Sequence, residues 1–243
     1  MKYAVIADIH SNIEAFQAVI EEINKEKPDQ YLFLGDLVGY GANPNECAQL
    51  FSTLKCQAVM GNHDYASLHI TNINMFNPNA RIALQKTYKI ISESTRNLLC
   101  SFRLKIEAQN YILVHANPSH PTDWSYMLSI EDAHDNFTYF SSSICFVGHS
   151  HVPWIIGLSP DNSVSMEYKS KSYNLKPEWR YIVNVGSIGQ PRDHDPRACF
   201  VLWDSETNNI NIRRIDYNIG LAQKKIMDAG LPEFLADRLS YGV

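Results

Sequence analysis

Residues 1–60 alternate strand-like and helix-like patterns, and an Asp, His or Asn motif directly follows each strand-like run. Tyr3–Ala7 is short and mostly apolar, as a buried strand would be. Ile13, Phe16, Ile20 and Ile23 then recur at helical spacing, with Ser11 or Asn12 placed to cap the helix. Pro28-Asp29 ends it, and Tyr31–Leu34 reads as the next strand. Pro44 suits the first turn of a second helix, to about Thr53, and Ala58–Met60 reads as a third strand. This βαβ alternation predicts a parallel sheet, whose strand ends present their loops along one edge.

Asp8-Ile9-His10, Gly35-Asp36 and Gly61-Asn62-His63-Asp64 fall in three of those loops. His115 follows a further strand-like run, Tyr111–Val114, and Gly148-His149-Ser150-His151 follows Ile144–Val147. The donors are Asp, Asn and His, with no cysteine among them. Such a set suits a pair of divalent or trivalent metal ions that activate water against a phosphate ester. In extended backbone, residues i and i+2 share a side, which lets Asp8 and His10 reach one metal and His149 and His151 converge. Asp36 stands alone after its strand, with Gly35 giving backbone room, and is the natural bridging carboxylate. Asn62 is a neutral oxygen donor, leaving its metal more Lewis-acidic than a third carboxylate would. His63 is not needed as a ligand. Its titration range suits proton donation to a leaving oxygen; its other reading is to orient Asn62 or a backbone carbonyl.

Elsewhere the pattern predicts one long helix from Pro78 to about Leu99, with Ile82, Leu84, Tyr88, Ile91 and Leu98 as its apolar members. Ser129 and Asp132 resemble a capping box for a helix running through Phe140. Beyond residue 154 come short strand-like runs: Trp154–Leu158, Val164–Tyr168, Tyr181–Val185, Cys199–Trp203 and Ile210–Ile215. They read as a second, largely antiparallel sheet layer. Asn218 is placed to cap a last helix ending at Gly230, and Pro232 to start a short terminal one. With no repeat, low-complexity tract or linker, residues 1–243 are expected to form one domain.

The net charge of −5 argues against a large nucleic-acid partner, while leaving room for a local basic pocket. Arg192 fits either a planar fork on a substrate phosphate or an ion pair with Asp193 or Asp195. Tyr40 and Asn43 suit a pocket mouth or loop packing. His69, His120, His134 and His194 read as surface or loop residues, and Cys47 and Cys145 as core fillers. The five cysteines form no Cys-x-x-Cys pair, as expected of reduced thiols in a cytoplasmic protein. The stretch Met1–Asp8 is too soon acidic for a signal peptide, and no apolar run approaches the roughly 20 residues of a membrane helix.

Taken in order, D-x-H, G-D, G-N-H-D, H and G-H-x-H resemble the calcineurin-like metallophosphoesterase superfamily. The stretches from Gly35 to Glu46 and from Asn184 to Asp193 are similar to a compact prokaryotic-type branch of it, which extends the resemblance over nearly the whole chain. The resemblance implies an α/β fold, α+β in part, with two packed mixed β-sheets flanked by helices. It implies Asp8, His10, Asp36 and His151 around one metal, and Asp36, Asn62, His115 and His149 around the other. The ions, two of Mn, Fe, Zn, Co or Ni, would lie about 3.5–4 Å apart. A metal-bridging hydroxide would attack phosphorus in line, with His63 as general acid, Arg192 and Asn62 on the substrate, and no phosphoenzyme. The implied substrate is a small phosphoester; a phosphodiester or nucleotide-type compound is favoured, and a dinucleoside polyphosphate is compatible. The alternative is a non-catalytic metal-binding scaffold of the same fold. Such drift erodes a ligand or the G-N-H histidine, and neither is eroded here. The branch usually carries a small residue, often glycine, where this chain has His194.

Overall fold

The computed structural model describes residues 1–167 and 171–243. The chain runs β1 (Lys2–Ile6), α1 (Ile13–Glu26), β2 (Gln30–Phe33), α2 (Pro44–Phe51), β3 (Cys56–Ala58), α3 (Asn62–Ser67), α4 (Pro78–Ile90) and α5 (Glu93–Cys100). Then follow β4 (Lys105–Glu107), β5 (Tyr111–Val114), α6 (Ile130–Asn136), β6 (Ile144–Val147), β7 (Trp154–Leu158), β8 (Val164–Glu167) and β9 (Ser172–Asn174). The last elements are β10 (Arg180–Asn184), β11 (Ala198–Asp204), β12 (Asn209–Ile215), α7 (Ile219–Asp228) and α8 (Glu233–Asp237). Short 3₁₀ turns lie at Ile73–Met75, Phe137–Tyr139 and Arg238–Ser240.

Two mixed six-stranded sheets result, ordered β3-β2-β1-β11-β12-β9 and β4-β5-β6-β10-β7-β8. The core strands are apolar at successive positions because both of their faces are buried. Tyr3 and Val5 of β1 meet Ile144 and Phe146 of β6 and Val201 and Trp203 of β11 between the sheets. The alternate residues Ala4 and Ile6 point the other way, onto Phe16, Val19 and Ile23 of α1. On the second sheet Cys145 and Val147 likewise face outward, onto Ala133 and Phe137. Helices therefore cover both outer faces, and the apolar stripe of α1 is what seats it.

Asn12, not Ser11, caps α1: its side chain accepts from the Ala15 amide at 3.1 Å. Asn218 caps α7 in the same way. The single helix expected over Pro78–Leu99 is broken after Ile90. Ser92 caps the new helix, accepting from the Thr95 amide, and Asn45 ties the break by accepting from Ser92 N and Thr95 Oγ1, each at 2.8 Å. Within α4, Ile82 and Tyr88, expected on the apolar face, lie toward solvent; Ala80, Ala83, Leu84 and Thr87 form the packed stripe instead. The helix from Ser129 is shorter than expected, since its last turn tightens to 3₁₀. Strand β3 lies two residues earlier than expected, and β4, α3 and β9 had no recognised pattern.

A second correction concerns the strands beyond residue 154. They are largely antiparallel, but they do not make a layer of their own. β7, β8 and β10 extend the sheet of β5 and β6, with β10 parallel to β6, while β11, β12 and β9 extend the sheet of β1. An alternating strand records which face is buried, not which sheet receives it. Of the expected run Val164–Tyr168, Tyr168 lies outside the described residues. Among the described residues no helix is long and apolar enough to cross a membrane.

Candidate metal centre and cleft

β1, β2 and β3 run parallel, as do β5 and β6 in the facing sheet, so the loops that follow them meet at one edge. Backbone hydrogen bonds lock those loops together: Asp8 N to Gly35 O, His10 N to Asp36 O, and Gly148 N to His115 O, at 2.9, 3.0 and 2.9 Å. Approach is so close that a Cβ on Gly61 would stand 2.0 Å from Asp36 Oδ1, and one on Gly35 2.4 Å from Gly61 N. Only glycine fits at either place.

The loops are not extended. Asp8, His10, Asp36, His149 and His151 all have left-handed backbone, with φ of 54°, 48°, 60°, 65° and 61°. This corrects the reason, though not the outcome, expected for Asp8 and His10: they meet because the chain coils tightly, not because alternate side chains share a strand face. Left-handed non-glycine residues cost free energy and persist where surrounding bonds over-determine them. Here Asp64, fully buried, accepts from the amides of Asp36 at 2.8 Å, Gly61 at 3.1 Å and Val38 at 3.2 Å. On the other side the Asp8 carbonyl accepts from Ser187 Oγ and Gly189 N, both at 2.9 Å.

Three groups of donors lie close enough to share a cation: Asp8, His10 and His151; Asp36, His115 and His149; and, joining these two, His10, Asp36 and His63. His151 Nε2 lies 3.3 Å from Asp8 Oδ1 and 3.1 Å from His10 Nε2. His115 Nε2 lies 3.0 Å from Asn62 Oδ1 and 3.1 Å from His149 Nδ1. Asp36 Oδ2 stands between them, 3.6 Å from His10 Nε2 and 3.4 Å from His115 Nε2. Asp8, His10, Asp36, Asn62, His115, His149 and His151, the residues expected as ligands, thus lie together.

These residues fit cations. His10, His115 and His151 turn Nδ1 toward the carbonyls of Val38, Leu34 and Gln190, at 3.1, 2.6 and 2.5 Å. A carbonyl only accepts, so Nδ1 carries the proton in all three, and the neutral rings of His10 and His151 keep their lone pair on Nε2. The lone pairs of His10 and His151 then face each other at 3.1 Å, and buried Asp8 Oδ1 has no hydrogen-bond partner. A cation between them satisfies all three.

Electrostatics agree. Burial pushes the pKa values of His10, His149 and His151 well below the usual range, leaving neutral donors. Burial raises Asp8 to about 7, and Asp36 adds to the effect. Burial is the largest influence on Asp36 and His115 and opposes their charge, but their neighbours together outweigh it: His115, His63 and His10 hold Asp36 well below the carboxylate range, and Asp36, Asp8 and the Leu34 carbonyl raise His115 to about 9. Burial lowers His63 to about 4 against the pull of Asp36, so its ring is neutral in the ligand-free protein; an adjacent phosphate anion acts in the opposite direction.

A cleft of about 300 Å³ opens above the clusters, lined by Asp36, Tyr40, Asn62, His63, Met75, Phe76, Asn77, Asp123, Trp124, Tyr126, His149, His151 and Arg192. The His63 amide donates to Asp36 Oδ1 at 2.8 Å, while its Nδ1 has no partner. Tyr40 packs its ring against His63, centroids 4.4 Å apart and tilted by 46°, and lines the cleft. Asn43 does not line it. The ion-pair reading of Arg192 fails: Asp193 bonds Arg214, and Asp195 bonds Arg197 and Arg214. Among the described residues the Arg192 side chain bonds only Gln190 Oε1, at 2.8 Å, and its guanidinium lies 5.7 Å over the Tyr40 ring. Burial, with Arg192 nearby, lowers Arg238 to about 10. His69, His120, His134 and His194 are all exposed, and Cys47 and Cys145 are buried, as expected. His194 has left-handed backbone, φ 64°, a conformation in which a glycine sits without strain. Sequence reasoning gave no role to Asp64, whose place in G-N-H-D was the available sign. It also passed over Phe76, Trp124 and Tyr126, which no motif marks.

Two six-stranded sheets carrying Asp, Asn and His donors at their shared edge define a metal-dependent phosphoester hydrolase, and the chain belongs to the calcineurin-like phosphoesterase superfamily, whose domain pattern matches residues 1–208. It is 40% identical over 243 residues to an uncharacterized protein of Methanocaldococcus jannaschii, covering 98% of this chain and 97% of that one. A metallophosphoesterase from Sphaerobacter thermophilus superposes with a TM-score of 0.87 at 34% identity, over 100% of this chain and 99% of its own. A hypothetical protein of Pyrococcus horikoshii shares the fold, with a TM-score of 0.81 at 20% identity over 100% and 98% of the two chains.

Proposed function

We propose that this protein hydrolyses phosphoester or phosphoanhydride bonds of small phosphodiester or nucleotide-type substrates, using two metal ions held by one domain, residues 1–243. The observation that carries the reading is Asp36 Oδ2 lying within 3.6 Å of His10 Nε2 and 3.4 Å of His115 Nε2, one carboxylate oxygen common to two donor clusters. Asp8, His10, Asp36 and His151 would hold one ion, and Asp36, Asn62, His115 and His149 the other. Mn, Fe, Zn, Co and Ni all suit this nitrogen and oxygen set. Bound there, such ions supply Lewis acidity toward a phosphoryl oxygen and lower the pKa of water.

The chain's own side chains do the rest. Arg192, with one N–H group on Gln190 Oε1, would offer its others to a non-bridging phosphate oxygen, and Asn62 lines the same cleft. His63 lines the cleft wall, from where it would give a proton to the departing oxygen. Tyr40 backs its ring and keeps water from that side. The free state of all five cysteines supports a reducing compartment such as the cytoplasm.

His63→Ala tests the role of the acid. Turnover of an alkyl phosphoester should fall by about 10²–10⁴, with less loss for a nitrophenyl ester and metal content intact. Equal losses on both esters would assign His63 to positioning rather than proton transfer.

A further inference from the structure

The walls of the cleft are unlike. One carries the donor clusters, His63 and Arg192; the other is aromatic. Tyr126 lies flat on His149, with ring centroids 4.2 Å apart at 22°, and yet is 49% exposed. Trp124 sets its ring against His115 at 5.9 Å and against Tyr65 at 5.7 Å. Hydrolysis itself makes no use of these rings, and leaving them in water is unfavourable.

Their placement is built into the chain. Trp124 has left-handed backbone, φ 55°, which a bulky residue adopts only under constraint. Asn117, 2% exposed, supplies that constraint. Its Oδ1 accepts from Ser119 Oγ at 2.7 Å and His120 N at 2.9 Å, and its Nδ2 donates to Ser125 O at 3.1 Å, so it brackets Trp124 on both sides. Asp123 lines the same wall and has no cationic partner among the described residues. A carboxylate beside the rings repels a further phosphate and accepts from hydroxyl or amino donors.

We propose that Trp124 and Tyr126 form a stacking subsite for the base of a nucleoside carried on the scissile phosphate, with Asp123 accepting from its hydroxyl or amino groups. The subsite rests on the phosphoesterase reading and narrows it. The group on this wall is an uncharged nucleoside rather than a chain of further phosphates. Every base has a π-face, so stacking selects for a base without demanding a particular one.

Calorimetric titration of adenosine, ribose and inorganic phosphate into Mn²⁺-loaded protein tests it. Adenosine should bind and ribose should not. Trp124→Ala should weaken adenosine about tenfold while phosphate affinity stays within about twofold, and Trp124→Phe, which keeps a ring, should restore most of the loss. Adenosine binding no better than ribose would overturn the subsite. So would Trp124→Ala weakening adenosine and phosphate equally, since that is the mark of a loop that has lost its shape. Hydrolysis of bis-para-nitrophenyl phosphate by the same preparation reports on the parent reading separately. Turnover without adenosine binding rejects the subsite alone, and adenosine binding without turnover rejects the hydrolase reading alone.

Discussion

The floor of the cleft is set by the fold, and its rim by loops. On the floor Asp8, His10, Asp36, His115, His149 and His151 are buried, follow strands of two facing sheets, and are cross-linked through backbone amides and carbonyls. On the rim Met75 and Tyr126 are exposed, and Trp124 owes its aim to one asparagine. A change on the floor is therefore shared by both sheets, whereas a change on the rim stays local. Metal chemistry belongs to the first region and the choice of ester to the second.

The widest gap between the regions should appear with Asp36→Asn. Removing the shared charge should weaken both ions by more than about 100-fold, beyond the usual effect of outer-sphere changes, as read by metal analysis after dialysis. Loss of only one ion would show that the clusters are independent and that Asp36 does not bridge. A smaller effect tests how tightly the floor is packed. Gly61→Ala drives a Cβ to 2.0 Å from Asp36 Oδ1 and 2.4 Å from Asp36 N, and should cost about 1–3 kcal/mol in thermal or denaturant unfolding. Gly220→Ala in α7 meets nothing nearer than 3.9 Å and should be neutral or stabilising by up to about 1 kcal/mol. Similar behaviour of the two variants would mean that the floor can yield. The smallest effect is expected at His194, exposed with φ 64° and away from both regions. His194→Gly should raise the melting temperature slightly or leave it unchanged, the relief of left-handed strain being offset by the entropy of glycine. A marked loss would show that the imidazole makes a contact of its own.

Much of the floor was legible because its donors sit directly after apolar runs that could only be strands, and the order of motifs matched a family. The backbone that presents them was not. Asp8-Ile9-His10 reads as extended, and no local pattern announces that the loops after β1, β2 and β6 coil into left-handed turns; the amides on Asp64 and the closeness of Gly35 to Gly61 come from distant parts of the chain. The break at Ser92 escaped for a related reason, since Asn45 from α2 stabilises it. The strands after residue 154 show their alternation but not their destination, because β11 pairs with β1 across nearly the length of the chain. The rim was least legible. Trp124 and Tyr126 lie in an irregular loop with neither period nor motif, and Tyr40 could be read either way until His63 was found beneath it.

We propose that this phosphoesterase works through two ions. The most direct test strips the protein of metal, refills it with Mn²⁺, counts the ions per chain, and follows bis-para-nitrophenyl phosphate and para-nitrophenyl phosphate hydrolysis before and after. Two ions per chain are expected, with turnover of at least one ester that vanishes on stripping and returns on refilling. A single bound ion, or turnover indifferent to metal, would contradict it.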